Sequence, residues 1–334
     1  MCIRDRYSII FSIGEMIGVG SAIRYAISKI KKDADADDYF WNALIWCILS
    51  SMLFVFAGIF FSADIMRVLG ADEHIVAVGN NYTKIFMCFA PMFMCNYVTN
   101  AFVRNDGAPG IAMSATLFSS LFNIVFDYIL MFPMNLGMEG AALATALSPI
   151  IGMGICSIHF FSKKSSVRLV VCKPSVRKLV AGCQLGVSAF VGEMSSAVIT
   201  LAFNFVILKL AGNVGVAAYG VVANIAIVTT AVFNGVAQGS QPLISSCFGR
   251  GDKDGCTQLK RMGYTTAFVL AAVMYSILFI FAGQFVAVFN SEGSEMLRLY
   301  ATEGVKLYFI GIFFEGINIV GGGAFSATED AFKA

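Results

Sequence analysis

The chain of 334 residues is 58% hydrophobic and 13% charged, with a mean hydropathy of +0.77 and a formal net charge of +2. Such a composition lies outside the range of soluble globular domains and points to a polytopic α-helical membrane protein. No GxxxxGK(S/T) run is present to hydrolyse a nucleotide, and two histidines with nine cysteines lacking any CxxC pair give no support to metal or redox chemistry.

The first six residues, MCIRDR, set Arg4, Asp5 and Arg6 directly against an apolar stretch without the small-residue cleavage site of a signal peptide. They are read as an artefactual leader without function. Beyond them, apolar segments of about 20 residues, the length that crosses the hydrocarbon, recur with short polar gaps. They predict nine helices, at 7–28, 40–61, 79–102, 111–132, 139–161, 180–208, 215–246, 262–289 and 302–326. The first contains an acid, Glu15, and is followed by the run DADADD at 33–38, read as a solvated loop cluster. Asn100 in the third helix and Asn204 in the sixth are single intramembrane amides, which join helices by hydrogen bonding.

The fourth helix reads SSLFNIVFDYILMF near its end. Thr116, Ser120, Asn123 and Asp127, spaced four, three and four residues apart, form one stripe on a helix otherwise built of Leu, Phe, Ile, Val and Met. Lipid would leave such a stripe unsatisfied, so it turns toward the bundle interior or a water-filled cavity, and Asp127 is a candidate functional carboxylate. The other placement for Asp127 is the outer interface, shortly before Pro133. The next helix opens GAALATALS, where Gly140 and Ala141 permit close packing and Thr145 follows. In the later helices Glu193 and Glu315 are the intramembrane acids, Glu315 lying in a stripe with Gly311, Asn318 and Gly322. An unpaired charge there is costly, so Glu315 is either a substrate- or proton-binding group or a structural, hydrogen-bonded carboxyl.

With alternate loops on alternate sides, fourteen Lys and Arg residues fall on one side and three, Arg67, Lys209 and Arg298, on the other. The richer side is cytoplasmic by the positive-inside rule, which accounts for the basic loops without nucleic acid as a partner. The sequence also repeats itself. Gly20-Ser21 corresponds to Gly239-Ser240 at an offset of 219 residues, and AFVRND from Ala101 to AFSATE from Ala324 at an offset of 223. The offset spans six predicted helices, an even number, so the halves are parallel repeats of the kind found in secondary transporters. A repeat of about 220 residues implies a twelve-helix parent of about 440, from which this chain is expected to start one helix late and stop about two helices early.

Several stretches resemble the multidrug and toxic compound extrusion family: GVGSAI before a charged loop, VRNDGAPGIAM, NIVFDYI, GMEGAALATALS and GVAQGSQPLISSCFGRGDKDG. The last is similar to the form in the bacterial, regulator-linked multidrug exporters. The resemblance runs from about Ser8 to Asp330, in the family's order and spacing. It implies an all-α fold of two parallel six-helix repeats, with an N-lobe at 7–161, a cytoplasmic inter-lobe loop at 162–179 and an incomplete C-lobe at 180–334.

In that family the N-lobe cation site combines an Asp on the first helix, an Asn and an Asp four residues apart on the fifth, a Thr on the sixth and a nearby Asn on the fourth. By motif these fall on Asn123, Asp127, Thr145 and Asn100, while the first-helix Asp has no counterpart. A second acidic site in some branches matches Glu315, and a Glu of their seventh helix lies about one turn from Glu193. The resemblance implies a cation-coupled antiporter, not an enzyme, that exports amphipathic or cationic drugs across a bacterial plasma membrane. Na+ or H+ would be the coupling ion at Asp127, Asn123 and Thr145, with no other cofactor. Phe118, Phe122, Phe203 and Phe205 would suit varied substrates. The expected surroundings are membrane lipids, the expected state a monomer. A lipid-intermediate flippase of the related superfamily is the alternative, although the spans offer few cations beyond Arg24, Lys84 and Lys306 for a pyrophosphate.

Overall fold

The computed structural model describes residues 8–68, 73–290 and 293–330; the leader at 1–6 lies outside them. The described residues are helical: α1 (Ser8–Lys31), α2 (Asp38–Val68), α3 (Glu73–Cys88), α4 (Ala90–Asn105), α5 (Pro109–Met131), α6 (Gly137–Phe160), α7 (Val176–Arg250), α8 (Lys253–Ile280), α9 (Ala282–Phe289), α10 (Glu295–Tyr308), a 3-10 turn at Phe309–Gly311, and α11 (Ile312–Ser326). The chain is a multi-span helical membrane protein.

Three of the predicted helices differ from the structure in ways that local chemistry explains. The helix expected at 79–102 is two, α3 and α4, bent by 46° at Phe89. Pro91, in the first turn of α4, has no N–H to give the carbonyl one turn earlier, so the helix breaks there. The helix expected at 262–289 begins earlier, at Lys253, because Asp252 caps it by accepting the Gly255 N–H at 2.8 Å, and it is interrupted at Phe281. The helix expected at 302–326 likewise begins at Glu295, capped by Ser294, and passes through the 3-10 turn before Glu315. Counting apolar residues alone misses these polar, capped first turns.

In α7, 75 residues run together, which as a straight rod would measure about 110 Å, several bilayers thick. The chain reverses instead at Gly212, whose φ of 61° and ψ of −158° are open in practice only to glycine. The rings of Phe203 and Tyr219 stack 5.4 Å apart across the turn, where a straight helix would separate them by about 24 Å. The two arms, 176–211 and 213–250, are the separate spans expected at 180–208 and 215–246.

The chain divides into two compact units, Met1–Val191 and Gly192–Ala334. Within the first, α1 lies along α4 with Phe11 edge-on to Phe93 and Tyr25 against Phe102. The start of α7 is locked onto α1: a Cβ on Gly20 would fall 2.0 Å from the Gly182 carbonyl oxygen, and one on Gly186 2.0 Å from that of Met16. The core of the second unit gathers around Phe233, Phe309 and Ile312 with Ala267 and Ala271 of α8.

At the end of the first unit that carries the α4–α5 turn, the carboxylate of Asp106 is 2% exposed and ties four segments together. It accepts from the Tyr25 hydroxyl at 3.2 Å, the Ser165 hydroxyl at 3.2 Å, the Ser166 N–H at 2.9 Å and the Ser166 hydroxyl, and it pairs with His159 Nε2 at 2.8 Å. Farther along the same connection, Asn42 exchanges two hydrogen bonds with the Ser175 backbone, and Lys178 binds Asp38. Asp37 pairs with Lys29 at 2.6 Å, so the DADADD run is in part a set of ion-pair partners. The connection after α6 is thereby stitched to α1, α2 and the α4–α5 turn. This is why the first unit continues into α7.

Gly212→Ala is expected to cost about 1–3 kcal/mol by forcing a side chain into a glycine-only backbone conformation, read as a lowered thermal unfolding temperature in detergent. Asp106→Asn replaces an acceptor surrounded by donors with a group that is half donor. A loss of about 3 kcal/mol should accompany it, with faster tryptic cleavage at Lys163 and Lys164; a wild-type cleavage rate would refute the tethering.

Candidate functional site

The polar residues of the first unit form a ladder across α4, α5 and α6. On its lowest rung Asn100 Nδ2 donates to Thr116 Oγ1 at 3.2 Å and to the Ala112 carbonyl at 3.4 Å. On the next, Ser119 Oγ donates to the Ser148 carbonyl at 2.6 Å, and the side-chain amide oxygen of Asn96 lies over Gly152, where a Cβ would come within 2.8 Å of it. Above that, Asn123 Nδ2 donates to Thr145 Oγ1 at 3.3 Å. One further turn of α5 carries Asp127, half-buried, with its Oδ1 enclosed and receiving no hydrogen bond from any described residue.

Local sequence builds this arrangement. Pro149, inside α6, lacks the N–H that would satisfy the Thr145 carbonyl, and Ser148 Oγ supplies a donor to it at 3.0 Å. Near the start of α6, Gly140 lets the helix approach the α5 backbone at Leu130, where a Cβ would fall 2.7 Å from the Leu130 carbonyl carbon. The close contact brings Thr145 within reach of Asn123.

The structure therefore joins Asn123 and Thr145, one turn from Asp127. Asn100 is bonded to Thr116, about 16 Å along α5 from Asp127. Sequence spacing selected Ser120, but Ser119 is the residue that reaches α6; the stripe 116, 119, 123 fits a helix face equally well. Asn96, one turn before Asn100 and so on the same helix face, is legible from spacing, whereas Ser148 carries no such signal.

In the second unit Glu315 opens α11 just beyond the 3-10 turn, and its Oε1 accepts from the Thr230 hydroxyl on the second arm of α7. Tyr308 lies within electrostatic range of the carboxylate, and its ring stands edge-on to Phe203 at 6.3 Å. Glu193 is half-buried on the first arm, and no hydrogen bond among the described residues joins it to Glu315 or Thr230. Glu15 on α1 is in electrostatic range of Arg104, a residue desolvated within the first unit rather than displayed on a basic loop.

A carboxylate oxygen buried without a donor is unusual, since buried acceptors are nearly always bonded. Asp127 Oδ1 with the amide oxygen of Asn123 and the hydroxyl of Thr145 is a set of hard oxygen donors, the chemistry that fits a proton or an alkali cation. No group of three His, Cys, Asp or Glu side chains among the described residues is suited to hold a transition metal.

The sequence pattern described as MatE matches residues 6–129 and 189–332. The multidrug export protein MepA of Staphylococcus saprophyticus is 25% identical over 329 residues, covering 96% of this chain and 71% of that protein. MepA of Staphylococcus aureus is 27% identical over 300 residues, covering 89% of this chain and 64% of its own length. The chain thus spans about two thirds of these relatives, between 64 and 71%. Among solved structures, a MOP superfamily transporter from Pyrococcus furiosus superposes with a TM-score of 0.90 at 20% identity, over 98% of this chain and 74% of that one. An outward-facing multidrug resistance MATE family transporter gives 0.89 at 20% identity, over 98% and 73%. These likenesses establish the fold.

The Asn96–Gly152 contact has a direct test. Gly152→Ala should lower stability by about 1–3 kcal/mol, because the new methyl must displace Asn96 or separate α4 from α6. Gly154→Ala, with no atom within 4 Å of the added Cβ, serves as the neutral control. Thermal unfolding of the two variants in detergent distinguishes them.

Proposed function

Because this chain belongs to the MatE family, we propose that it works as a cation-coupled antiporter exporting amphipathic, cationic molecules, with Asp127 as the coupling carboxylate. It is a multi-pass helical protein of the bacterial plasma membrane, and its family consists of transporters rather than enzymes. The activity for which its relatives are named, multidrug export, supports an export substrate over the lipid intermediate of a flippase.

The observation that carries the reading is the enclosed, unbonded Oδ1 of Asp127. An ionised carboxylate in such a place is destabilised by desolvation, and a bound proton or cation removes that cost. Asn123 and Thr145 orient each other through their hydrogen bond and would offer the amide oxygen and the hydroxyl as co-ligands. Neutralising Asp127 would change the relative free energies of the outward-open and inward-open states, since a ligand shifts a conformational equilibrium by its differential affinity for the two states. Coupling follows if drug and cation favour opposite states. Energy would come from the ion gradient, consistent with a sequence that has no P-loop. Asn100, bonded to Thr116, would stabilise the helix group from below rather than touch the cation. Glu315 would form a second acidic site in the other repeat.

Asp127→Asn should abolish transport of ethidium into vesicles while the protein remains in the membrane at its normal level. Asn123→Ala and Thr145→Val should weaken cation dependence by about tenfold each, the cost of one hydrogen-bonding ligand. Separate Na+ and pH jumps identify the coupling ion. Undiminished transport by Asp127→Asn would refute the assignment.

A further inference from the structure

Thr230 directs its hydroxyl differently from other threonines in the spans. Those of Thr116, Thr200, Thr229 and Thr265 each donate to a carbonyl of their own helix, at 2.9–3.1 Å. This is the ordinary habit of threonine within a helix, where no water is present to take the proton. Thr230, next in sequence to one of them, donates across helices to Glu315 Oε1. A hydroxyl has one proton to give, so the bond is made in place of the one to its own helix. Three residues farther on, fully buried Phe233 lies against Gly316, where a Cβ would come within 2.6 Å of the ring. That contact fixes the register of α11 on the second arm of α7 and holds Glu315 opposite Thr230.

We propose that Thr230 is a positioning residue for Glu315, holding the carboxylate when it carries neither proton nor cation and releasing it when one binds. The proposal rests on the reading of Glu315 as a second acidic site. A hydroxyl donor stabilises an ionised carboxylate more than a neutralised one, so the bond favours the empty form and speeds release of the bound ion. On release, the Thr230 hydroxyl can turn back to the Ile227 carbonyl, three residues earlier, just as Thr229 donates to Ala226 at 2.9 Å, so neither state leaves it unbonded. Among the described residues the titratable neighbour that interacts with Glu315 is Tyr308.

Ethidium transport by reconstituted vesicles, measured against Na+ and in a separate arm against pH, tests this with Thr230→Val, Thr230→Ser and Glu315→Gln. Thr230→Val keeps the shape and removes the donor. It should lower the cation concentration for half-maximal transport about tenfold, and depress the maximal rate because the ion is retained. Thr230→Ser should restore both values, a rescue that side-chain packing would not provide. Thr230→Val indistinguishable from wild type beside an inactive Glu315→Gln would overturn the role of Thr230. Wild-type behaviour of Glu315→Gln would overturn the reading of Glu315 itself.

Discussion

Within hydrocarbon a polar group has no water to fall back on, and the whole arrangement of this chain follows from finding partners for the few it contains. Two aspartates of the first unit show opposite solutions. Asp106 is surrounded by donors from α1, α6 and the following connection, and all of its bonds serve to hold those segments together. Asp127 leaves one enclosed oxygen without any donor. The first is what a structural carboxylate looks like. The second is the feature that supports the proposed role of Asp127 as the coupling carboxylate.

The two units meet the same demand with different chemistry. In the first, amides and hydroxyls of three helices face one another in rungs, and Pro149 contributes by removing a donor where Ser148 can replace it. In the second, a single carboxylate faces a single hydroxyl, placed by the fit of an aromatic ring over a glycine.

Most of the helical layout was legible from hydropathy, because spans must be apolar and about 20 residues long. What escaped that reading were polar first turns capped by Asp252 and Ser294, and breaks caused by Pro91 and at Phe281, none of which alters mean hydropathy. Asp127 and Asn123 were legible as a stripe on α5, and Thr145 as their partner by resemblance. Ser119 and Ser120 could not be separated by spacing, since both fall on that face and only the approach of α6 decides between them. Thr230 carried no signal, its role depending on α11, distant in sequence. Asp106 was hidden for the same reason: a loop aspartate reads as solvated until the connection that covers it is known.

The interlock of Gly20 with Gly182, and of Gly186 with Met16, joins the first helix to residues made almost half the chain later. During synthesis, α1 to α6 emerge and insert before the partner surface exists. Until it does, α1 must wait in the bilayer with its glycine face uncovered, open to lipid or to wrong neighbours. The first unit is therefore completed only when translation has passed well into the following helix, which makes its assembly a late event in biogenesis despite its N-terminal position.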